Sequence, residues 1–234
     1  MTSLRVYEME VKVFTLQNFG QEEASMIVAG FFDACLSKND EFLEFHKENC
    51  FKGYGFDLPY PVEADGIYKK EKVYTIHFRT VNRDLLNYLQ QELQNTTSEY
   101  IKGLTTKVRV VPRKHITKIY SLTPVILKIQ EGNYWKNQIS FERYEKLLIT
   151  NLIKKYNYLM NTKIDENFQF YTNIRKINRL PIAVKYKNIT LLGDKFDIEI
   201  AENETAQNLA YLSLAAGLGE NNSRGAGYVN YKFL

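Results

Sequence analysis

Apolar and charged residues alternate along residues 4–16, with Val6, Met9, Val11, Val13 and Leu16 set among charges, which is the two-residue period of a half-buried strand. From Gln21 to Leu36 the period changes to that of a helix. Glu22 and Glu23 suit its amino-terminal end, and Met26, Phe31, Phe32 and Leu36 supply the apolar spacing. A shorter helical piece is predicted over Glu41–Lys47. Strands are predicted over Phe51–Phe56, Val73–Val81 and Tyr100–Val111, and a helix over Arg83–Leu93 with Asn82 as its cap. The order is β-α-β-β-α-β, the ferredoxin-like unit.

The second half repeats this plan. Lys118–Ile129 reads as a strand, with Pro124 demoting part of it to an edge. Ser140–Leu159 is the strongest helix, in which Tyr144, Leu147, Leu148, Asn151, Leu152 and Lys155 give one apolar and one basic face. Strands follow over Gln169–Ile177, Ala183–Leu192 and Lys195–Ile200, then a helix over Glu204–Ala216 and a last strand over Gly227–Phe233. The expected class is α+β: two tandem ferredoxin-like (RRM-like) domains, residues 1–115 with the candidate catalytic residues and residues 116–234 with a glycine-rich loop.

Length and composition agree with two such domains. The chain has 234 residues, 44% hydrophobic and 25% charged, which excludes disordered and fibrous classes. No apolar run is long enough to cross a membrane, and the amino-terminal segment lacks a signal peptide's apolar stretch. Two cysteines make no disulfide framework, so a reduced cytoplasmic setting is expected.

Net charge is +4, but its distribution says more than its size. Residues 1–114 hold 15 basic and 16 acidic side chains, and residues 115–234 hold 16 and 11. Basic tracts at 99–118 (Lys102, Lys107, Arg109, Arg113, Lys114, Lys118) and 167–193 (Arg175, Lys176, Arg179, Lys185, Lys187) suit a phosphate-bearing partner, although each tract taken alone is as readily a solvated face. No Asp/Glu cluster has divalent-metal spacing.

The most specific stretch is Gly217-Leu-Gly-Glu-Asn-Asn-Ser-Arg-Gly-Ala-Gly227, whose four glycines and paired asparagines tolerate positive φ. Such a loop can bring backbone N–H groups to a phosphate, with Arg224 adding charge, or it can be a plain connector. It is neither a P-loop nor a dinucleotide fingerprint, since it follows a helix and precedes a strand without Gly-Lys-Ser/Thr. Lys52-Gly-Tyr-Gly-Phe56 matches the start of an RNP1 signature, in which Tyr54 and Phe56 would stack on bases, but the match breaks at Asp57 and Pro59.

The loop pattern, carried by Gly217, Gly219, Glu220, Asn222, Ser223, Gly225 and Gly227, resembles that of the CRISPR repeat-processing endoribonucleases of the Cas-six type, and Ser121-Leu-Thr-Pro-Val125 resembles the opening of their second domain. The resemblance implies cleavage of CRISPR precursor RNA by 2′-hydroxyl attack, leaving 2′,3′-cyclic phosphate and 5′-hydroxyl ends, with no metal and no cofactor. It implies His46 as general base or acid and Lys52 as electrostatic stabiliser. The family's frequent tyrosine on the first helix is missing, with Phe31 and Phe32 in its region, so Tyr54 or Tyr60 is the substitute or His46 serves both proton transfers. His77 reads as a surface or interdomain residue and His115 as a phosphate contact.

RNA contacts are expected from Gly217, Gly219, Asn222, Ser223, Arg224, Gly225 and Gly227 and from Arg175, Lys176, Arg179, Lys185 and Lys187. CRISPR repeat RNA is the expected partner. A CRISPR effector complex and a homodimer stay open, and no membrane partner is expected. The rival reading is a non-cleaving repeat-RNA-binding scaffold of such a complex.

Overall fold

A computed structural model describes residues 4–130, 132, 134–186 and 189–234. The first unit runs β1 (Tyr7–Thr15), β2 (Phe19–Gly20), α1 (Gln21–Leu36), α2 (Asp40–Lys47), β3 (Tyr54–Phe56), β4 (Ile67–Tyr68), β5 (Val73–Thr80), α3 (Arg83–Glu92) and β6 (Ile101–Val110). The second runs β7 (Ile116–Ser121), α4 (Phe141–Met160), β8 (Tyr171–Lys176), β9 (Ile182–Tyr186), β10 (Ile189–Gly193), β11 (Phe196–Ile200), α5 (Glu204–Ala216) and β12 (Val229–Phe233).

Each unit is an antiparallel four-stranded sheet, ordered β3-β5-β1-β6 and β12-β7-β11-β8. Both orders are those of tandem ferredoxin-like folds, with the first strand central and the last at an edge. In the first sheet Met9 pairs with Phe78 and Val11 with Ile76 on the apolar face, and Glu8 pairs with Arg79 on the other. Helices α1 and α3 cover the apolar face with Val28, Phe31, Phe32, Cys35, Leu85 and Leu89. Asn82 caps α3 by accepting from the Asp84 and Leu85 amides, and Ser140 caps α4 by accepting from the Arg143 amide.

The other face of the first sheet meets the second unit. Arg79 is buried there; its Nε donates to Glu8 Oε2 at 2.6 Å and its Nη1 to the Val229 carbonyl at 2.7 Å. Its guanidinium lies 4.8 Å from the Tyr228 ring centre. Burial alone would raise the Glu8 pKa, but Arg79 and Arg109 outweigh it and hold the carboxyl below its ordinary value. Tyr211 on α5 closes the seam by accepting from the Val6 amide and donating to the Val111 carbonyl.

Three expectations need correction. The strand predicted over Lys118–Ile129 stops at Ser121, because Pro124 has no N–H and the chain leaves the sheet to bridge Val125 with Asp194 and Ile126 with Glu220. The single strand predicted over Ala183–Leu192 is the β9–β10 hairpin, registered Thr190 to Lys185 and Leu192 to Ala183. The basic face predicted for α4 does not include Lys155, which points inward with Tyr144, Leu148 and Leu152 and is buried. Among the described residues, no helix is long and apolar enough to cross a membrane.

Truncation of Arg79 leaves the buried Glu8 carboxylate with the exposed Arg109 as its remaining cation, and opens an unpaired Val229 carbonyl. We expect Arg79→Ala to cost about 3–5 kcal/mol, read as a lowered urea midpoint, and a Glu8→Gln/Arg79→Met pair to cost less.

Candidate active site

Helix α2 is short, and Asn39 holds its start by accepting from the Phe42 amide. His46 sits in its last turn and faces α1 and the loop that joins α5 to β12. There His46 Nε2 lies 2.9 Å from Arg224 Nη2, and His46 Nδ1 lies 3.5 Å from Asp33 Oδ1 without a hydrogen bond. Arg224 Nη1 donates to the second oxygen of Asp33. Carboxylate, guanidinium and imidazole thus close a triangle between α1, α2 and the loop. Because a guanidinium only donates, His46 Nε2 is the acceptor and the ring is neutral with its proton on Nδ1. Burial lowers the His46 pKa, Asp33 opposes this, and Arg224 and Lys52 add to the lowering.

Lys52 follows α2 and donates to the carbonyls of Phe45 and Glu48, with its ammonium 4.5 Å from the Phe45 ring centre. Two of its three N–H donors are engaged there, which leaves one for a ligand. His46, Lys52, Asn151, Lys154, Glu220 and Arg224 line one cavity of about 530 Å³ between α2, α4 and the loop. Lys52, Lys154, Lys155 and Arg224 in its lining outnumber Glu48 and Glu220, a balance that suits a phosphodiester.

The loop is set from within. Gly217, Gly219, Gly225 and Gly227 are buried, and all have φ between 63° and 85°. A side chain at Gly227 would begin 1.9 Å from the Leu218 carbonyl oxygen, and one at Gly225 would begin 2.7 Å from the Phe56 ring. These glycines therefore shape the turn from within, and Gly219 also lines the cavity. The side chains of Asn222 and Arg224 line the cavity with Ser223, whose hydroxyl bonds Tyr54.

Tyr54 is 2% exposed and Phe56 fully buried, so neither can stack on a base. Burial and Asp33 raise the Tyr54 pKa far above its ordinary value, and its ring stacks on Phe78 with centres 5.2 Å apart. It lies under the loop and lines the same cavity as His46 and Lys52. Tyr60 is exposed and lines a separate cavity of about 760 Å³ with Leu58, Val62, Pro124 and Lys195.

Of the second unit's basic tract, the described residues do not line the His46 cavity, but Lys185 lines a neighbouring pocket of about 250 Å³ with Asp33 and Arg224. Arg175 pairs with Asp197 at 3.3 Å, Lys176 pairs with Asp194 at 3.3 Å and donates to the Arg179 carbonyl, and Lys185 pairs with Glu22 at 3.1 Å. Lys187 lies outside the described residues. His77 is bonded to Asp57, with Nδ1 to Oδ2 at 2.8 Å, and His115 lines a shallow pocket beside Lys118 and Leu234. Sequence reading missed Asp33 and Lys155. Asp33 had no motif around it, and Lys155 looked like one more surface lysine.

Residues 106–231 match the family model of CRISPR associated protein Cas6, C-terminal. No curated protein sequence matches. Among solved structures, the chain is similar to a CRISPR associated protein Cas6 (TM-score 0.68, 18% identity, 97% of this chain and 99% of that one). It is similar also to a Cas6-related protein from Pyrococcus furiosus (0.69, 15%, 97% and 98%) and to a RAMP protein binding different RNA substrates (0.72, 15%, 97% and 99%). At these identities the likeness concerns the fold.

The triangle makes a signed prediction for titration of the three histidines by NMR. Loss of a nearby cation favours the imidazolium, so Arg224→Ala raises the His46 pKa; loss of the carboxylate does the reverse, so Asp33→Asn lowers it. His77, raised by its bond to Asp57, keeps its value in both variants.

Proposed function

The chain belongs to the CRISPR-associated Cas6 family, and from that premise we propose that it is an endoribonuclease that cuts CRISPR precursor RNA within its repeats. The observation that carries this reading is the Asp33–His46–Arg224 triangle at the cavity that Lys52 also lines. Cleavage by the 2′-hydroxyl needs a base that is neutral near pH 7 and cations at the phosphate. His46 has the first property, because burial and its cationic neighbours keep the ring unprotonated.

On binding, a phosphate oxygen competes with His46 for Arg224, since guanidinium and phosphate pair bidentately. His46 Nε2 is then free to accept the 2′-hydroxyl proton. The 2′ oxygen bonds to phosphorus, the bond from phosphorus to the 5′ oxygen breaks, and that oxygen takes up the proton that the His46 imidazolium returns. The products carry a 2′,3′-cyclic phosphate and a 5′-hydroxyl. Lys52 and Arg224 meet the charge that grows on the phosphoryl oxygens, and Asp33 holds the imidazolium as it forms. No step calls on a metal or a cofactor.

One observation favours the rival reading of a non-cleaving scaffold. Phe31 and Phe32 are core residues, so α1 presents no hydroxyl to the cavity. Incubation with repeat RNA in EDTA separates the two. We expect a single cut per repeat with cyclic phosphate ends by mass spectrometry, and a loss of roughly 10²–10⁴-fold in His46→Ala with RNA affinity nearly unchanged. Binding without cleavage by the unaltered protein would establish the scaffold. Affinity falls with rising salt in either case, because each neutralised phosphate releases counterions.

A further inference from the structure

We propose that Lys155 is a positioning residue for RNA cleavage: its ammonium clamps the 217–227 loop in the conformation that carries Arg224 to His46 and Asp33. The proposal rests on the cleavage reading above and names a residue to which neither the fold nor the loop motif assigns a role.

Lys155 points into the protein on the apolar face of α4, 2% exposed, and reaches the carboxyl-terminal end of α5. Its Nζ donates to the Ala216 carbonyl at 3.0 Å, the Gly217 carbonyl at 2.9 Å and Asn222 Oδ1 at 2.6 Å. Three acceptors match the three N–H bonds of an ammonium, and a neutral amine has only two. The two carbonyls lie at the negative end of the α5 dipole, where a cation is favoured. Asn222 passes the hold onward: its Nδ2 donates to the Leu218 and Ala226 carbonyls, both at 2.9 Å, and so ties the two limbs of the loop together. A side chain at Gly217 would begin 2.4 Å from that same amide nitrogen, so the glycine makes room for the asparagine. Ser223 and Arg224 follow directly on Asn222. The chain of contacts therefore runs from α4 through Lys155 and Asn222 to the guanidinium at His46.

A residue that only filled space here would not be charged. Burying an ammonium with no carboxylate bonded to it is costly, and burial pulls its pKa down to about 7. Glu220 on the loop is the acid that acts on it. The other charged groups of the cavity are Lys154 beside it on α4, and His46, Glu48, Lys52 and Arg224 across from it. Loss of the proton removes one of the three loop contacts, so the clamp weakens as pH rises through about 7. Cleavage should then rise as His46 loses its proton and fall as Lys155 loses its own.

The test compares unaltered protein, Lys155→Met and His46→Ala, each across pH 5.5 to 9.5 in EDTA. Single-turnover cleavage of repeat RNA and binding of the same RNA with a 2′-deoxy block at the cut are both measured. For Lys155→Met we expect affinity within about threefold, a rate about 100-fold lower, and no fall in rate at the alkaline side. If His46→Ala is inactive while Lys155→Met matches the unaltered protein in rate and pH profile, this proposal alone is overturned. If His46→Ala cleaves normally, the cleavage reading falls and takes the clamp with it. Should Lys155→Met fail to fold by circular dichroism, Asn222→Ala decides, since it breaks the same link from the loop side. A rate about 100-fold lower at affinity within about threefold supports the clamp, and the unaltered rate overturns it.

Discussion

The approach of the α5–β12 loop to β3 is the constraint on which the rest of this structure depends. The Phe56 ring presses on Gly225 so closely that any side chain at that position would overlap it. The two units are thereby joined at a point where one contributes His46 and the other Arg224, 178 residues apart. A looser seam would leave the histidine without its guanidinium and the cavity open on one side. The glycine pattern of the loop is a condition for that contact.

Buried charges mark how the two units are held together. At the centre of the seam Arg79 and Glu8 neutralise each other, and Arg79 reaches across to the Val229 carbonyl. Such a pair fixes register more than it adds stability, because desolvation offsets most of the attraction. Asp194 is treated differently. It has no exposure and accepts from Tyr134, Trp135, Lys176 and Asn178, which pins the strap after β7 to the β10–β11 junction. Lys155 bonds two backbone carbonyls and the Asn222 amide oxygen, with no carboxylate of the described residues at bonding distance. The fold accepts its cost at the place where the loop must be set.

Much of the framework was legible in the sequence because its cause is local. The apolar spacing and leading acids of Gln21–Leu36 mark α1, and Asn82 and Ser140 mark the starts of α3 and α4 by the bonds that their side chains make. The element order leads to the two ferredoxin-like sheets. What was not legible depends on partners far away in the chain. Lys155 shares the spacing of Tyr144, Leu148 and Leu152, yet its burial is visible only once the carbonyls at the end of α5 are known to lie opposite. Asp33 is one acid among many until α2 and the loop converge on it. The antiparallel β9–β10 pair was read as one strand because no glycine or proline falls between Tyr186 and Ile189 to divide the run.

The missing tyrosine on the first helix shows why position along a helix is a weaker guide than the face it occupies. Phe31 and Phe32 lie in the region where a hydroxyl was sought, and both are core: Phe32 packs against Phe56 and Phe78 with ring centres 5.1 and 5.0 Å away. A hydroxyl added to either ring would be buried among aromatic side chains, at the cost of an unpaired polar group. Asp33, the next residue, turns the other way and meets His46 and Arg224. The first helix does contribute a polar group to the site, but it is a carboxylate, which accepts the Arg224 bond. On the cleavage reading its place is to orient the imidazole and balance its charge. What α1 brings to the cavity is thus a hold on His46 and Arg224 rather than a hydroxyl, because its aromatic face is taken up by the core.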